Sequence, residues 1–364
     1  MRVGLHVGQL VQKIPGGIGR VTEMLCDELP RFADVVAFSS CSRRARGGLD
    51  ARLGCGVEFR SVGRSSPRWR YELWNRYRRP LDLAVDVCHA PSLAVPPTNA
   101  PLVVTINDVV FLRHAETLTP HGVRFHEKGL AIARREASAI IVPSAFTRDE
   151  LVREGFDRDR IYRVPLAASA PRSSPTRATC AELQKRGVVG PYILVAGTLE
   201  PRKDHATLVA AFEQLRAQHP DLLLVVAGPL GWLTPAAARE LVRPGVVTVG
   251  CVSDAELDAL YSHATVVVSA SIYEGFGLTV LEAMTHGRPL VVSAIPPHVE
   301  LVDDAARLFP PGDADALAAV LEELLHDAGA RDSLRQSALE RAKQFTVAAT
   351  VAGHLAAYER AAGG

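Results

Sequence analysis

Two acids and a pair of cations are the residues whose types and spacing suggest chemistry. In YEGFGLTVLEAM (273–284), Glu274 directly precedes a Gly-Phe-Gly turn, and Glu282 follows two helical turns later. Acids near helix N-termini are common for dipole reasons alone. A solvated loop carboxylate and an ordinary helix former are therefore one reading of the pair. In GTLEPRKDH (197–205), Arg202 and Lys203 sit where a strand pattern passes into a helix pattern. A planar guanidinium, a compact ammonium and free helix N–H groups would converge there on a diphosphate. A solvated basic turn capped by Asp204 is the plainer alternative. A third stretch, IPGGIGR (14–20), opens a helix with Gly16 and Gly17, whose backbone can approach an anion closely. Its spacing is not that of the GxGxxG dinucleotide fingerprint, and a simple turn into a helix is again the alternative. Acids are poor company for phosphate but good acceptors for sugar hydroxyls. Cations with acids beside them suit a ligand that is anionic in the middle and hydroxylated at both ends, as a nucleotide sugar is.

The elements that must position these residues follow from the hydrophobic pattern. Short β-branched runs at 2–7, 34–39, 86–91, 101–106 and 139–144, and again at 192–197, 222–228, 246–250, 265–270 and 289–294, alternate with helix-length stretches. Near-continuous apolar strands with helical crossovers imply parallel sheets buried on both faces. The fold class expected is α/β, as two doubly wound Rossmann-like domains facing a cleft, with ligands at the C-terminal strand edges. SAPRSSPTRATCA (169–181) has no apolar periodicity and reads as linker. The expected division is 1–168 as an acceptor-side domain, 169–190 as linker, 191–345 as a nucleotide-sugar domain and 346–364 as a helix crossing back to the first.

Composition narrows the function classes. The 364 residues are 48% hydrophobic and 22% charged with a formal net charge of +1, so no global field argues for nucleic acid. Six cysteines lie scattered without CxxC, as expected for reduced thiols in the cytoplasm. The N-terminus MRVGLHVG lacks the apolar core of a signal peptide, and no run reaches the ~18 apolar residues that a membrane span needs. No Ser/His/Asp or Cys/His arrangement stands out, no DXD motif is in place (Asp303-Asp304 reads as an acidic turn), and none of the 12 histidines shows metal-ligand spacing. No metal and no cofactor are expected.

EGFGLTVLEAMTHGRPLVVS resembles the E-x7-E region of family 4 retaining glycosyltransferases, which have the GT-B fold. GTLEPRKD, GGIGR, VTINDVVFLRHAE (104–116) and SAFTRDELVREGF (144–156) resemble that family's other segments, in its order, over nearly the whole chain. The resemblance implies sugar transfer from a nucleotide sugar with retention at the anomeric carbon. It assigns Arg202 and Lys203 to the donor diphosphate, and Glu274 with the Gly275, Phe276, Gly277 and Leu278 backbone to the transferred sugar and nearby phosphate. Glu282 falls to the ribose, the Gly16-Gly17 backbone to the donor sugar and phosphate, and Val252, within GCVSD (250–254), to the nucleotide base. The donor implied by family frequency is GDP-mannose, and the acceptor a glycan or lipid-linked hydroxyl.

Departures from the family pattern are informative. Asn107 stands before Asp108 where a histidine is frequent at the reaction centre, and it cannot titrate. Thr198 replaces a frequent arginine, as in an EPRK-type subgroup, and VPLAAS (164–169) lacks the usual glycine. A nucleotide-sugar epimerase of similar architecture and an inactive relative are the alternatives. SPRWRYELWNRYRRP (66–80) places arginines among Trp69, Tyr71, Trp74 and Tyr77. It is read either as a peripheral membrane contact or, preferred, as a helix with its aromatics inward and its arginines solvated.

Overall fold

The computed structural model describes residues 1–12, 15–40, 49–50, 52–54, 56–63, 67–167, 175–233 and 235–363. They divide into two units. One comprises Met1–Ala115, Pro120–Leu166 and Val347–Gly364, the other Glu116–Thr119 and Ala167–Thr346.

The first unit holds seven parallel strands in the order β3-β2-β1-β4-β5-β6-β7. They are β1 (Arg2–His6), β2 (Asp34–Ser39), β3 (Glu58–Ser61), β4 (Val87–Ala90), β5 (Leu102–Thr105), β6 (Ala137–Val142) and β7 (Ile161–Arg163). The second unit repeats the plan with six parallel strands in the order β10-β9-β8-β11-β12-β13. These are β8 (Tyr192–Ala196), β9 (Leu223–Ala227), β10 (Val246–Gly250), β11 (Val266–Ser269), β12 (Leu290–Ser293) and β13 (Arg307–Phe309). The central strands are buried throughout, which is why they read as continuous apolar runs.

Each unit has its own core. In the first, Val3, Leu5, Val103 and Ile141 pack with Leu25 and Leu29, and with Val351 and Tyr358 of the helix Val347–Ala362. That helix is pinned by polar contacts as well: Thr350 Oγ1 donates to Pro165 O at 2.9 Å, and Tyr358 Oη lies 2.9 Å from Nδ1 of the buried His89. In the second, Ile193, Leu224, Val226 and Val268 meet Leu208, Phe212, Leu317 and Leu321. The stretch expected as linker is in part a helix, Arg177–Lys185, capped by Thr176 and burying Leu183. Its Ser/Pro/Arg/Thr flank masks the short AELQK helix pattern; residues 168–174 lie outside the described ones.

The basic aromatic stretch forms the helix Pro67–Tyr77. Trp74 is buried, and Tyr71 and Trp74 both pack edge-on against His6 and tilted against each other. Tyr77 is 56% exposed with Arg76 over its ring, whereas Arg68, Trp69 and Arg70 lie outside the described side chains. Tyr71 and Trp74 thus turn inward, and Tyr77 faces outward. Among the described residues, no helix is long and apolar enough to cross a membrane.

Candidate active site

The predicted residues of the second unit gather at the C-terminal edge of its sheet. After β8 the chain makes a 3-10 turn, Pro201–Lys203, that presents Arg202 and Lys203. Asp204 follows in the left-handed region (φ 47°) and caps the helix His205–Leu215, accepting from Thr207 N. Two strand ends press together here. A Cβ on Gly228 would stand 1.8 Å from the Gly197 carbonyl, so only glycine fits. After β11 the loop carries Glu274, then Gly275, Phe276 and Gly277, into the helix Leu278–Thr285. Gly277 takes φ 106° and has no side chain to cap that helix; a Cβ there would come within 3.2 Å of His298 and Leu301.

Glu274 is not a solvated loop acid. It is 7% exposed, with Oε2 2.5 Å from Arg202 Nη1 and Oε1 2.5 Å from Lys203 Nζ. Ser271 Oγ donates to Oε1 at 2.9 Å, and Arg202 also reaches Tyr273 O and, at 2.6 Å, the buried Glu200. Burial alone would push the Glu274 carboxyl up; the charges of Arg202 and Lys203 overcome it and hold it well below the usual carboxylate range. Glu274 therefore stays ionised. His298 lies beneath, wholly buried between Ser269 and Ser293, and burial lowers its pKa to about 4. It is a neutral neighbour to the carboxylate.

Two acids and two cations thus balance: Glu200 and Glu274 against Arg202 and Lys203. An anion arriving here would not meet two bare cations but would exchange places with carboxylates. The sequence pointed to the Arg-Lys pair and Glu274 separately and missed their direct pairing. It also missed Glu200 and Ser271, although each is one to three residues from a singled-out position.

Glu282 is 8% exposed on the inner face of its helix, and Tyr261 Oη donates to Oε2 at 3.1 Å. Tyr261 stacks on His286, which reaches Asp258 at 3.1 Å. Glu282 thus has a partner of its own in Tyr261. Val252 is half-buried between β10 and the helix Asp254–His263, whose start is fixed by a reciprocal Ser253–Glu256 capping box. Phe276 points inward and meets Phe345 edge-on, so what it can offer a ligand is its backbone.

Asn107, Gly16 and Gly17 belong to the first unit. Asn107 follows β5, and its Nδ2 donates to Pro91 O at 3.2 Å. Gly16 and Gly17 open the helix Gly16–Glu28 and are exposed; Gly16 has φ 64°, and Pro15 gives no side-chain cap. Beside the helix lies a small cavity bordered by Ile18, Thr105, Asn107 and His354. Folding brings His219, Glu322 and His326 together, their ligating atoms within 4.8 Å of one another.

Both halves of the chain resemble known proteins. Residues 15–172 match the model of Glycosyltransferase Family 4, and residues 184–343 that of Glycosyl transferases group 1. Among the most similar relatives is the O-antigen chain mannosyltransferase B of Escherichia coli, 33% identical over 71% of this chain and 70% of that one. A glycogen synthase of Mycobacterium tuberculosis is 28% identical over 92% of this chain and 82% of its own length. The Anabaena HepE structure in complex with UDP-glucose aligns with a TM-score of 0.76 over 98% of this chain and 99% of that one, at 17% identity. WaaG, a glycosyltransferase involved in lipopolysaccharide biosynthesis, aligns at 0.71 over 98% of both chains, at 17% identity. At such identity the structures speak for the fold, which is GT-B. The two family models and the O-antigen relative place the chain among the family 4 glycosyltransferases.

Proposed function

We propose that the protein moves a hexose from a nucleotide sugar to a hydroxyl of a glycan or lipid-linked acceptor, with retention at the anomeric carbon. GDP-mannose is the donor favoured, because relatives are named mannosyltransferases. The observation that carries the reading is the buried cluster of Arg202, Lys203 and Glu274 at the sheet edge, beside a helix start without a side-chain cap.

In this reading the donor diphosphate takes over Arg202 and Lys203 from the carboxylates. Leu278 and the Gly275–Gly277 backbone add N–H donors to the same charge. Glu274, released on one side, accepts from hydroxyls of the transferred sugar while Ser271 keeps it oriented. Glu282, steadied by Tyr261, accepts from the ribose, and Val252 borders the base. Asn107 has no proton to exchange, so the reading asks no acid–base role of it.

As the bond from the anomeric carbon to the phosphate oxygen breaks, negative charge grows on the leaving diphosphate. Preorganised cations and amides aimed at that charge lower the barrier. The acceptor oxygen attacks from the same face and its proton passes to the leaving phosphate, so the reaction needs no divalent ion. The test is to incubate the pure protein with GDP-mannose, UDP-glucose and other nucleotide sugars together with mannose oligosaccharides. An α-linked product from an α-linked donor, seen by NMR, supports the reading; an inverted product contradicts retention, and an epimerised donor contradicts transfer.

A further inference from the structure

We propose that His219, Glu322 and His326 form a binding site for a divalent transition-metal ion of the Zn²⁺ class. The site lies well away from the sugar-donor residues and fastens the helix Ala314–His326 to the segment between the helix His205–Leu215 and β9. Glu322 and His326 are one turn apart on their helix and share a face. His219 Nε2 stands 2.9 Å from Glu322 Oε2, and His326 Nε2 stands 2.8 Å from Oε1. The two imidazoles are 5.3 Å apart, centroid to centroid.

The donor set is two imidazoles and a carboxylate, which suits Zn²⁺, Ni²⁺ or Cu²⁺ and gives a hard alkaline-earth ion too few oxygens. Metal–ligand lengths of about 2.0–2.1 Å around a tetrahedral ion put neighbouring ligand atoms roughly 3.3 Å apart. The two histidine–carboxylate separations, 2.9 and 2.8 Å, are near that, and all three ligating atoms lie within 4.8 Å of one another, so side-chain rotations that draw the imidazoles together complete the site and leave a position for water. The scaffold beneath is rigid: Leu215, Leu321 and Leu324 are core residues, and Gln214 bonds Asp315 across the same two helices at 2.7 Å. Leu222 N donates to the His219 carbonyl, and His219 N donates to Leu215 O, which fixes the His219 backbone.

Binding turns each Nε2 lone pair to the metal, leaves the remaining ring proton on Nδ1 and releases a proton from any imidazole that was charged. The 11-residue helix His205–Leu215 starts beside Lys203 and spans about 16 Å, so the ion is a clip at its far end and not a participant in transfer.

The test is titration calorimetry of the full chain, stripped with EDTA and desalted, with Zn²⁺ at pH 7.5. One ion per chain is expected, with affinity falling on the order of 100-fold in His219→Ala and in His326→Ala. The melting temperature should rise with Zn²⁺ in the parent and not in the variants. His326 ends its helix and is 67% exposed, so its replacement leaves the fold intact. No stoichiometric heat, or binding undiminished in His326→Ala, overturns the proposal by showing only a hydrogen-bonded surface cluster. Neither readout involves sugar transfer, so the outcome is independent of the proposed reaction.

Discussion

Replacing Glu274 by Gln removes one negative charge from between two cations without changing the shape of the side chain. Each carboxylate oxygen has a cation 2.5 Å away, and the group is almost fully buried. With charge centres ~4 Å apart, each pair contributes about 4 kcal/mol at an effective dielectric of ~20. Burying the carboxylate offsets part of this, and breaking such a pair typically costs about 3–5 kcal/mol. The amide also points an NH₂ at one of the cations. For a unit of this size the melting temperature should drop by roughly 6–20 °C. The charge balance moves as well, from zero to +1 over Glu200, Arg202, Lys203 and residue 274. The variant should therefore bind free GDP or UDP more tightly than the parent, since no Glu274 carboxylate has to be displaced. Turnover should move the opposite way, falling on the order of 10²-fold or more, because a preorganised contact to the reacting sugar is lost. Calorimetric binding of the nucleotide, kcat with the preferred donor and a circular-dichroism melt measure the three effects. Full kcat with an unchanged melt would show that Glu274 neither balances the cations nor touches the reaction.

Glu282→Gln should chiefly raise donor KM, by about 5- to 150-fold from the roughly 1–3 kcal/mol of a charged hydrogen bond, because contacts to the ribose change little during the reaction; a fall confined to kcat would contradict that. EDTA should strip any ion from His219, Glu322 and His326 yet leave transfer largely intact; complete loss restored by Mg²⁺ or Mn²⁺ would contradict the metal-free reading. Acid should destabilise both units. Burial lowers the pKa of His6 to about 3, of His205, His298 and His354 to about 4, and of His89 well below 6.5. Unfolded histidines take up protons first, so the stability present above pH 6.5 is lost as pH falls towards 4. At pH 5 the loss is on the order of 1–2 kcal/mol per histidine, read as a lower urea midpoint; an unchanged midpoint would mean these rings are not buried neutral.

The central strands were legible because a strand buried on both faces must be apolar along its length. LVVT in β5, LLVVA in β9 and LVVS in β12 leave no other reading. The strands that escaped notice, β3 (EFRS), β7 (IYR) and β13 (RLF), lie at sheet edges. There one side lacks a neighbour, and polar side chains are tolerated. The site was legible where motif and strand end coincide, at Arg202, Lys203 and Glu274. Which partner each would choose was not legible, because the Lys203–Glu274 contact joins residues 71 apart in sequence. The same holds for Tyr261 beneath Glu282, and for His219, which meets Glu322 across 103 positions.

The central claim is that Lys203 and Arg202 carry the charge of a departing nucleoside diphosphate. Its most direct test is the rate at which GDP or UDP is released from a panel of nucleotide sugars, with and without a mannose oligosaccharide acceptor, by the parent and by Lys203→Ala. The parent should consume at least one donor, faster when the acceptor is present. Lys203→Ala should still fold, with a lower melting temperature and with Glu274 still paired with Arg202, and release nucleotide more slowly by on the order of 10²-fold or more. Equal rates from the two proteins, or no nucleotide released by the parent from any donor, would contradict the account.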